Sequence, residues 1–229
     1  MPAETTVRRL VDAAERLFAE RGIDAVSLRE INAAAGQRNS TALQYHFGDR
    51  AGLLKAVLAK HRPEIEARRH QLLDEYEARG PLPCVSYSPA VSYSPASYSP
   101  AEARRALAAA LVRPAAAKLA DPDGGRDYLR VMEQLVHRVP PSLPEDGGGS
   151  IDRWRDLVAP LLPEAAVRLH QRFMAIRMTY VELARRASGP PARDDRLFTS
   201  HLIDVVSAVL ASEVSDETTR LLAERDRRP

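Results

Sequence analysis

Residues 36–50 read GQRNSTALQYHFGDR and concentrate hydrogen-bonding side chains in an otherwise alanine-rich chain. Five of these side chains carry donors and acceptors that suit base edges and phosphates: Arg38, Asn39, Thr41, Gln44 and Tyr45. Ala42 and Leu43 can bury one stripe of a short helix, while His46 and Arg50 follow where backbone phosphates would lie. The segment therefore predicts a helix whose polar face contacts nucleic acid.

The residues before this segment predict two helices that position it. Apolar residues recur at spacings of three and four over 7–18, and Gly22 ends this first helix. Ser27 and Glu30 have the S-x-x-E spacing of a capping box, which begins the second helix. A glycine-containing turn at 35–37 leads into the third. A short helix, a tight turn and a second short, polar helix form the helix-turn-helix pattern.

Capping residues also place the next two helices. Asn39 or Ser40 would cap the third helix. Asp49 would cap a fourth helix that runs toward Glu77, about 29 residues long. A helix-turn-helix that binds protein instead of DNA would have the same apolar scaffold, so that alternative stays open.

The rest of the chain carries almost no strand signal, and the predicted fold class is all-α. Helices are predicted near 102–119, 126–138, 151–161, 163–187, 194–212 and 216–225. The helix at 194–212 is apolar around most of its circumference, which indicates burial on two sides.

A low-complexity insertion at 85–100 repeats Ser-Tyr-Ser-Pro three times. Proline every five or six residues forbids a helix, so the segment predicts an extended, solvated linker. A linker of that kind contributes little packing, and its deletion is expected to leave thermal stability unchanged. A docking or phosphorylation tract is the alternative.

Composition excludes several classes of protein. A net charge of +2 does not by itself indicate a nucleic-acid partner, and the single cysteine, Cys84, provides no disulfide framework. Neither a signal peptide nor a membrane-spanning run is present in the sequence, so we expect a cytoplasmic protein with no membrane partner. The histidine spacing fits no zinc site and no glycine-rich nucleophile turn occurs, which predicts no metal, no cofactor and no enzymatic activity.

Candidate residues for a small-molecule site lie on three of the later helices. Phe173, Arg177 and Tyr180 share one helix face, where an arginine between aromatic rings could bind a carboxylate or phenolate. Tyr128, Met132 and Trp154 are the other candidate lining residues. The alternatives are an arginine that extends from the core to solvent and ordinary core packing for the rest.

The first 55 residues or so resemble the tetracycline-repressor (TetR) family of bacterial transcription regulators. The blocks that match, in order, are 13–18 AAERLF, Gly22, 26–31 VSLREI, 35–36 AG and 45–53 YHFGDRAGL. Gln37 departs from the small apolar residue that is usual after the Ala-Gly pair. The resemblance implies phosphate contacts for Ser27, Tyr45, His46 and Arg50, and base contacts for Arg38, Asn39, Thr41 and Gln44, with Ser40 also in the DNA-contacting segment.

The resemblance also implies how the chain is organised and what it does. Residues 1–50 would form the three-helix DNA-binding domain, and 51–229 a larger helical domain for ligand binding and dimerisation through the helices at 163–187 and 194–212. The expected function is that of a homodimeric repressor in the bacterial cytoplasm that binds a palindromic double-stranded DNA operator and is released by a small-molecule effector. The alternative is a helical small-molecule-binding protein with a TetR-like fold that does not bind an operator.

Overall fold

The computed structural model describes residues 2–37, 41–79, 98–138 and 149–227, and all the regular structure in these ranges is helical. The helices are α1 Pro2–Arg21, α2 Leu28–Ala34, α3 Thr41–Phe47, α4 Arg50–Ala78, α5 Pro100–Ala116, α6 Gly125–His137, α7 Ser150–Val158, α8 Glu164–Arg168, α9 Gln171–Ser188, α10 Arg196–Ala211 and α11 Asp216–Asp226. Short 3-10 turns extend α5 over Ala117–Leu119 and α7 over Ala159–Leu161. The prediction of an all-α fold is confirmed.

Sequence signals at the first helices coincide with the observed ends. The amide of Gly22 donates to the carbonyl of Phe18 at 3.0 Å just after α1, and Ser27 occupies the N-cap of α2. The carboxylate of Asp49 accepts from the amide of Gly52 at 2.8 Å and so caps α4. α4 has 29 residues, as the sequence predicts.

The predicted helix at 163–187 is wrong in one respect, because the structure divides it into α8 and α9. His170 lies between them with a φ of 59°, a left-handed conformation that ends one helix before the next begins. The Gln171 side chain then donates to the carbonyls of Val209 at 2.6 Å and Ser212 at 3.0 Å, which ties the start of α9 to the end of α10.

Two compact units make up the chain, and the first contains the helix-turn-helix. It comprises Met1–Glu66, Pro114–Asp146 and Tyr180–Asp195. Phe18 and Ile31 are fully buried in it, as are Leu53 of α4 and Leu129 of α6. α6 therefore shares a core with the first helices, although it lies about 100 residues further along the sequence.

The second unit comprises Ala67–Arg113, Gly147–Thr179 and Arg196–Pro229. Trp154 of α7 is fully buried, and its indole nitrogen donates to the carbonyl of Leu107 in α5 at 2.8 Å. The buried guanidinium of Arg69 donates to the hydroxyl of Ser150 at 2.9 Å. The predicted domain boundary at residue 50 stays a prediction.

Residues 98–100 of the last Ser-Tyr-Ser-Pro repeat are anchored, whereas residues 85–97 lie outside the described part of the chain. The ring of Tyr98 stacks on Tyr76 of α4, with centroids 5.2 Å apart, and the guanidinium of Arg79 lies 5.0 Å from the centroid of Tyr98. Ser99 and Glu102 form a capping box: the Ser99 hydroxyl accepts from the amide of Glu102 at 3.3 Å, and the carboxylate of Glu102 accepts from the amide of Ser99 at 2.8 Å. Tyr98 is thus an aromatic anchor, and Ser99 and Pro100 start α5.

This anchor changes the expected result of deleting the insertion. Removal of 85–96 should leave the melting temperature nearly unchanged, whereas removal of 85–100 should lower the free energy of unfolding by roughly 2 kcal/mol, because an N-cap and an aromatic pair are lost. Thermal unfolding of the two deletion variants, each closed with the same short Gly/Ser link, measures the difference. Equal melting temperatures would show that the Tyr98 anchor contributes nothing.

Candidate nucleic-acid interface

The second helix begins with a closed capping box at an exposed position. The Ser27 hydroxyl accepts from the amide of Glu30 at 3.2 Å and donates to the carboxylate of Glu30 at 2.6 Å. The amide of Ser27 also donates to that carboxylate, at 2.8 Å. A phosphate contact by Ser27 stays a prediction, and it requires Glu30 to release the hydroxyl or the amide.

Glu30 also joins the first two helices. The hydrogen bonds from Ser27, together with the guanidinium of Arg21 at 2.7 Å, lower the pKa of Glu30 to about 2. The carboxylate is therefore ionised at any physiological pH and always available to both partners. Because the pair with Arg21 is exposed, its main effect is to orient α2 on the end of α1, with little gain in stability.

The third helix has one buried anchor and turns polar side chains outward. Leu43 is almost fully buried, whereas Gln44 is exposed and Tyr45 is 85% exposed. His46 is half-buried, and its ring centroid lies 5.1 Å from that of Tyr45 in an edge-on arrangement. An amide can bond an adenine edge through two hydrogen bonds, and a phenol hydroxyl suits a phosphate. We call Gln44 and Tyr45 together the reading face.

A tight corner between α3 and α4 holds the reading face in place. An added Cβ at Gly52 would lie 2.0 Å from the carbonyl oxygen of Phe47, the last residue of α3. The same carbonyl accepts from the amide of Asp49 at 2.8 Å. The first turn of α4 therefore packs directly on the end of α3, at a distance that only glycine allows.

Arg50 has a structural contact in addition to its predicted role. Its guanidinium donates to the carbonyl of Asp24 at 3.0 Å, in the loop between α1 and α2. Arg138, just after α6, contacts the carboxylate of Asp24 at 2.9 Å. An arginine has five N–H groups, so Arg50 can hold this loop and still donate to a phosphate.

The remaining predicted DNA contacts are Arg38, Asn39, Ser40 and Thr41. Arg38, Asn39 and Ser40 lie outside the described residues, and Thr41 is the first residue of α3. Their roles stay predictions.

A short helix with a buried anchor, an outward polar face and a tight corner to a long helix is the geometry of a DNA-reading helix-turn-helix. Residues 10–57 match the family model described as bacterial regulatory proteins, tetR family. Residues 10–57 are therefore similar to the DNA-binding domain of the TetR family. The match runs from α1 to the second turn of α4, and it indicates a DNA-binding transcription regulator. No curated protein matches the chain.

α6 lies outside the TetR domain but contacts it. The sequence did not predict these contacts. The side-chain amide of Gln134 donates to the carbonyl of Phe18 at 2.9 Å, and its oxygen accepts from the amide of Ile23 at 2.8 Å. One glutamine thus satisfies two backbone groups at the turn where α1 ends. In the sequence, Gln134 is one of several polar residues on an amphipathic helix, and no sequence pattern indicates that it bonds to the backbone of Phe18 and Ile23.

Three of the predicted effector-binding residues lie in the first unit. Tyr128, Met132 and Tyr180 are buried there. The ring centroid of Tyr128 lies 4.7 Å from that of His61 in α4. Their effector role stays a prediction.

The other three lie in the second unit and differ in exposure. Trp154 is fully buried with its indole N–H already bonded, as expected for a core tryptophan. Arg177 is exposed, and its guanidinium covers the ring of Phe173 at 4.9 Å. This cation–π contact covers one face of the Phe173 ring. The effector role of Trp154, Phe173 and Arg177 stays a prediction.

Two further properties concern the described residues alone. Within 2–37, 41–79, 98–138 and 149–227, no group of three or more His, Cys, Asp or Glu side chains could hold a metal ion. In the same ranges no single helix is long and apolar enough to cross a membrane. By length and composition alone, α10 and α11 taken together could do so, with a bend of 58° between them.

Proposed function

We propose that this TetR-family regulator is a homodimeric repressor in the bacterial cytoplasm that binds a palindromic operator and is released by a small-molecule effector. The observation that carries the proposal is the reading face: Gln44 and Tyr45 point to solvent from a helix whose opposite side is fixed by the buried Leu43. A core helix would not expose a tyrosine to this extent, and a DNA-reading helix requires it.

Partly exposed apolar residues on α10 support the homodimer. Leu197 at the start of α10 is 84% exposed, and Val205 and Val209 further along the helix are each half-buried. Met174 on α9 is exposed, and Met178 follows four residues later. Apolar side chains that are partly exposed on two helices suit contact with a second copy of the chain.

The effector must act by changing how well the dimer fits its operator. Two reading helices in a dimer contact half-sites roughly 34–36 Å apart, a spacing fixed by the DNA. A displacement of a few ångströms in either helix breaks phosphate contacts. An effector that prefers the displaced state therefore weakens operator binding, typically by about 1–3 kcal/mol, and the operator weakens effector binding by the same factor.

Selection of duplexes from a random pool by the full-length protein tests the proposal. We expect a palindromic sequence, for which Gln44→Ala costs roughly 1–3 kcal/mol and relaxes specificity at one position of each half-site. Arg50→Ala should weaken all duplexes alike. Gln71→Ala, at an exposed glutamine of α4 outside the TetR domain, is the matched control and should change nothing.

Two results would contradict the proposal. If no duplex is enriched, the chain is not an operator-binding protein, which favours a helical small-molecule-binding protein. If Gln44→Ala keeps the same sequence preference as Gln71→Ala, Gln44 does not read bases.

A further inference from the structure

A charged cluster lies inside the first unit, where it joins the TetR domain to α4 and to the turn before α6. Glu15 of α1 and His61 of α4 are both almost fully buried, with 2.5 Å between a carboxylate oxygen of Glu15 and Nε2 of His61. The other carboxylate oxygen of Glu15 accepts from Nζ of Lys60 at 2.8 Å. A buried carboxylate is thus contacted by two neighbouring side chains of one helix.

The turn before α6 completes the cluster with two more carboxylates. Nδ1 of His61 lies 3.5 Å from a carboxylate oxygen of Asp121, and Nζ of Lys60 lies 3.1 Å from Asp123. Lys60 also donates to Asp12 of α1 at 2.8 Å. We call Glu15, Lys60 and His61, with Asp12, Asp121 and Asp123, the Glu15 cluster. It connects three segments that are far apart in the sequence.

Gly124 shows how closely the turn approaches Glu15. It has a φ of +83°, and a Cβ placed on it would lie 2.0 Å from a carboxylate oxygen of Glu15. That carboxylate thus occupies the space beside the turn that a side chain would fill. The position of α1 and the conformation of the turn are therefore set together.

Stability alone does not account for the cluster. Burial by itself would lower the pKa of Lys60, but hydrogen bonds with Asp12 and Glu15 raise it above its usual value. The group therefore stays charged in a partly buried site. Removing such charges from water costs free energy, and well-packed apolar residues of similar volume are often as stable or more stable. The best-attested use of buried ionic groups is to select one register among several.

We propose that the Glu15 cluster fixes the register of α1 against α4 and the α6 turn, and with it the position of the reading face needed for specific DNA recognition. The inference rests on the proposed function for its consequence at DNA but not for its structural part. Apolar packing tolerates small slides between helices, whereas a buried carboxylate at hydrogen-bond distance from two neighbouring side chains does not. Substitution of the cluster should therefore cost specificity more than stability.

The test replaces the three central residues by apolar ones of similar size in the full-length protein: Glu15→Met, Lys60→Met and His61→Leu together. The remaining carboxylates keep cationic partners, since Lys118 contacts Asp121 at 2.9 Å and Arg8 contacts Asp123 at 3.3 Å. The measured quantities are the melting temperature, amide hydrogen exchange in α1, and the ratio of affinities for the selected duplex and a scrambled one.

We expect a melting temperature at or above that of the wild type, faster exchange in α1, and a specificity ratio lowered about tenfold. Arg153→Met is the matched control, because Arg153 also bonds several groups of α4, among them Asp74 at 2.6 Å, but does so near the surface of the second unit. It should leave the ratio unchanged.

A stable triple variant with the wild-type ratio would overturn the proposal, as would a folded variant with a lowered melting temperature and no loss of specificity. If the triple variant does not fold, Glu15→Gln decides: a ratio lowered relative to Arg153→Met supports the proposal, and an unchanged ratio overturns it. If the wild type selects no duplex, the proposed function has failed. Hydrogen exchange in α1, which needs no DNA, then decides for or against the register alone.

Discussion

Leu197→Glu is expected to dissociate the proposed homodimer while each subunit stays folded. Leu197 begins α10 and is 84% exposed in the single chain, so a glutamate there is fully solvated in the monomer. In a dimer that covers α10, the same charge would be buried without a partner. The loss should be that of an interface hot spot, about 2–4 kcal/mol, or a dissociation constant raised at least thirtyfold.

The position of the substitution matters because α10 has two apolar sides. Val206 is fully buried within its own subunit, so Val206→Glu should unfold the chain and would not report on the interface. Leu221→Glu is the matched control: this leucine of α11 is half-exposed, and the same substitution there should leave the dimer intact.

Light scattering at several concentrations measures the oligomeric state, and thermal unfolding confirms that the variants are folded. A folded Leu197→Glu protein with the dissociation constant of Leu221→Glu would exclude α10 as the contact between subunits.

Local patterns in the sequence predicted those parts of the fold that depend on neighbouring residues. The capping box of Ser27 and Glu30 and the Asp49 cap of α4 both rest on contacts within three residues, and both are present. The buried anchor Leu43 and the exposed Gln44 follow from helical periodicity in the same way.

Contacts between distant residues were not predictable in this way. The two apolar sides of α10 were evident, but which side faces its own core depends on the packing of other helices. The break at His170 has no Gly or Pro to mark it. Glu15 lies four residues after the apolar Val11 of α1, but a glutamate on a helix is normally expected at the surface. Its burial depends on the contact with His61, which lies 46 residues away in the sequence.

Gly52→Ala is expected to lower both stability and DNA affinity by a large amount, although helix propensity alone would predict a gain in stability. Alanine in place of glycine inside a helix normally stabilises by about 1 kcal/mol. At Gly52 the added Cβ would lie 2.0 Å from the carbonyl oxygen of Phe47 and 3.1 Å from its carbonyl carbon. These are backbone atoms, so they cannot rotate away as a side chain would. The end of α3 has to move.

We expect a loss of stability and a loss of affinity for DNA. Overpacking of this kind costs roughly 1–3 kcal/mol of stability, which outweighs the gain in propensity. The displaced α3 also carries the reading face with it, and a misplacement of about 1 Å is enough to weaken several hydrogen bonds to DNA together. We therefore expect affinity for the selected duplex to fall more than tenfold, with a smaller loss for scrambled DNA, whose binding depends mainly on charge.

Ala51→Gly, at the preceding and exposed position of α4, is the matched control because it changes the same two residue types in the opposite direction. It should lower stability by about 1 kcal/mol through helix propensity and leave the specificity ratio unchanged. Thermal unfolding and titration of both duplexes separate the two variants. If Gly52→Ala raised the melting temperature and kept wild-type affinity, the α3–α4 corner would have room for a side chain, and the reading face would not depend on this contact.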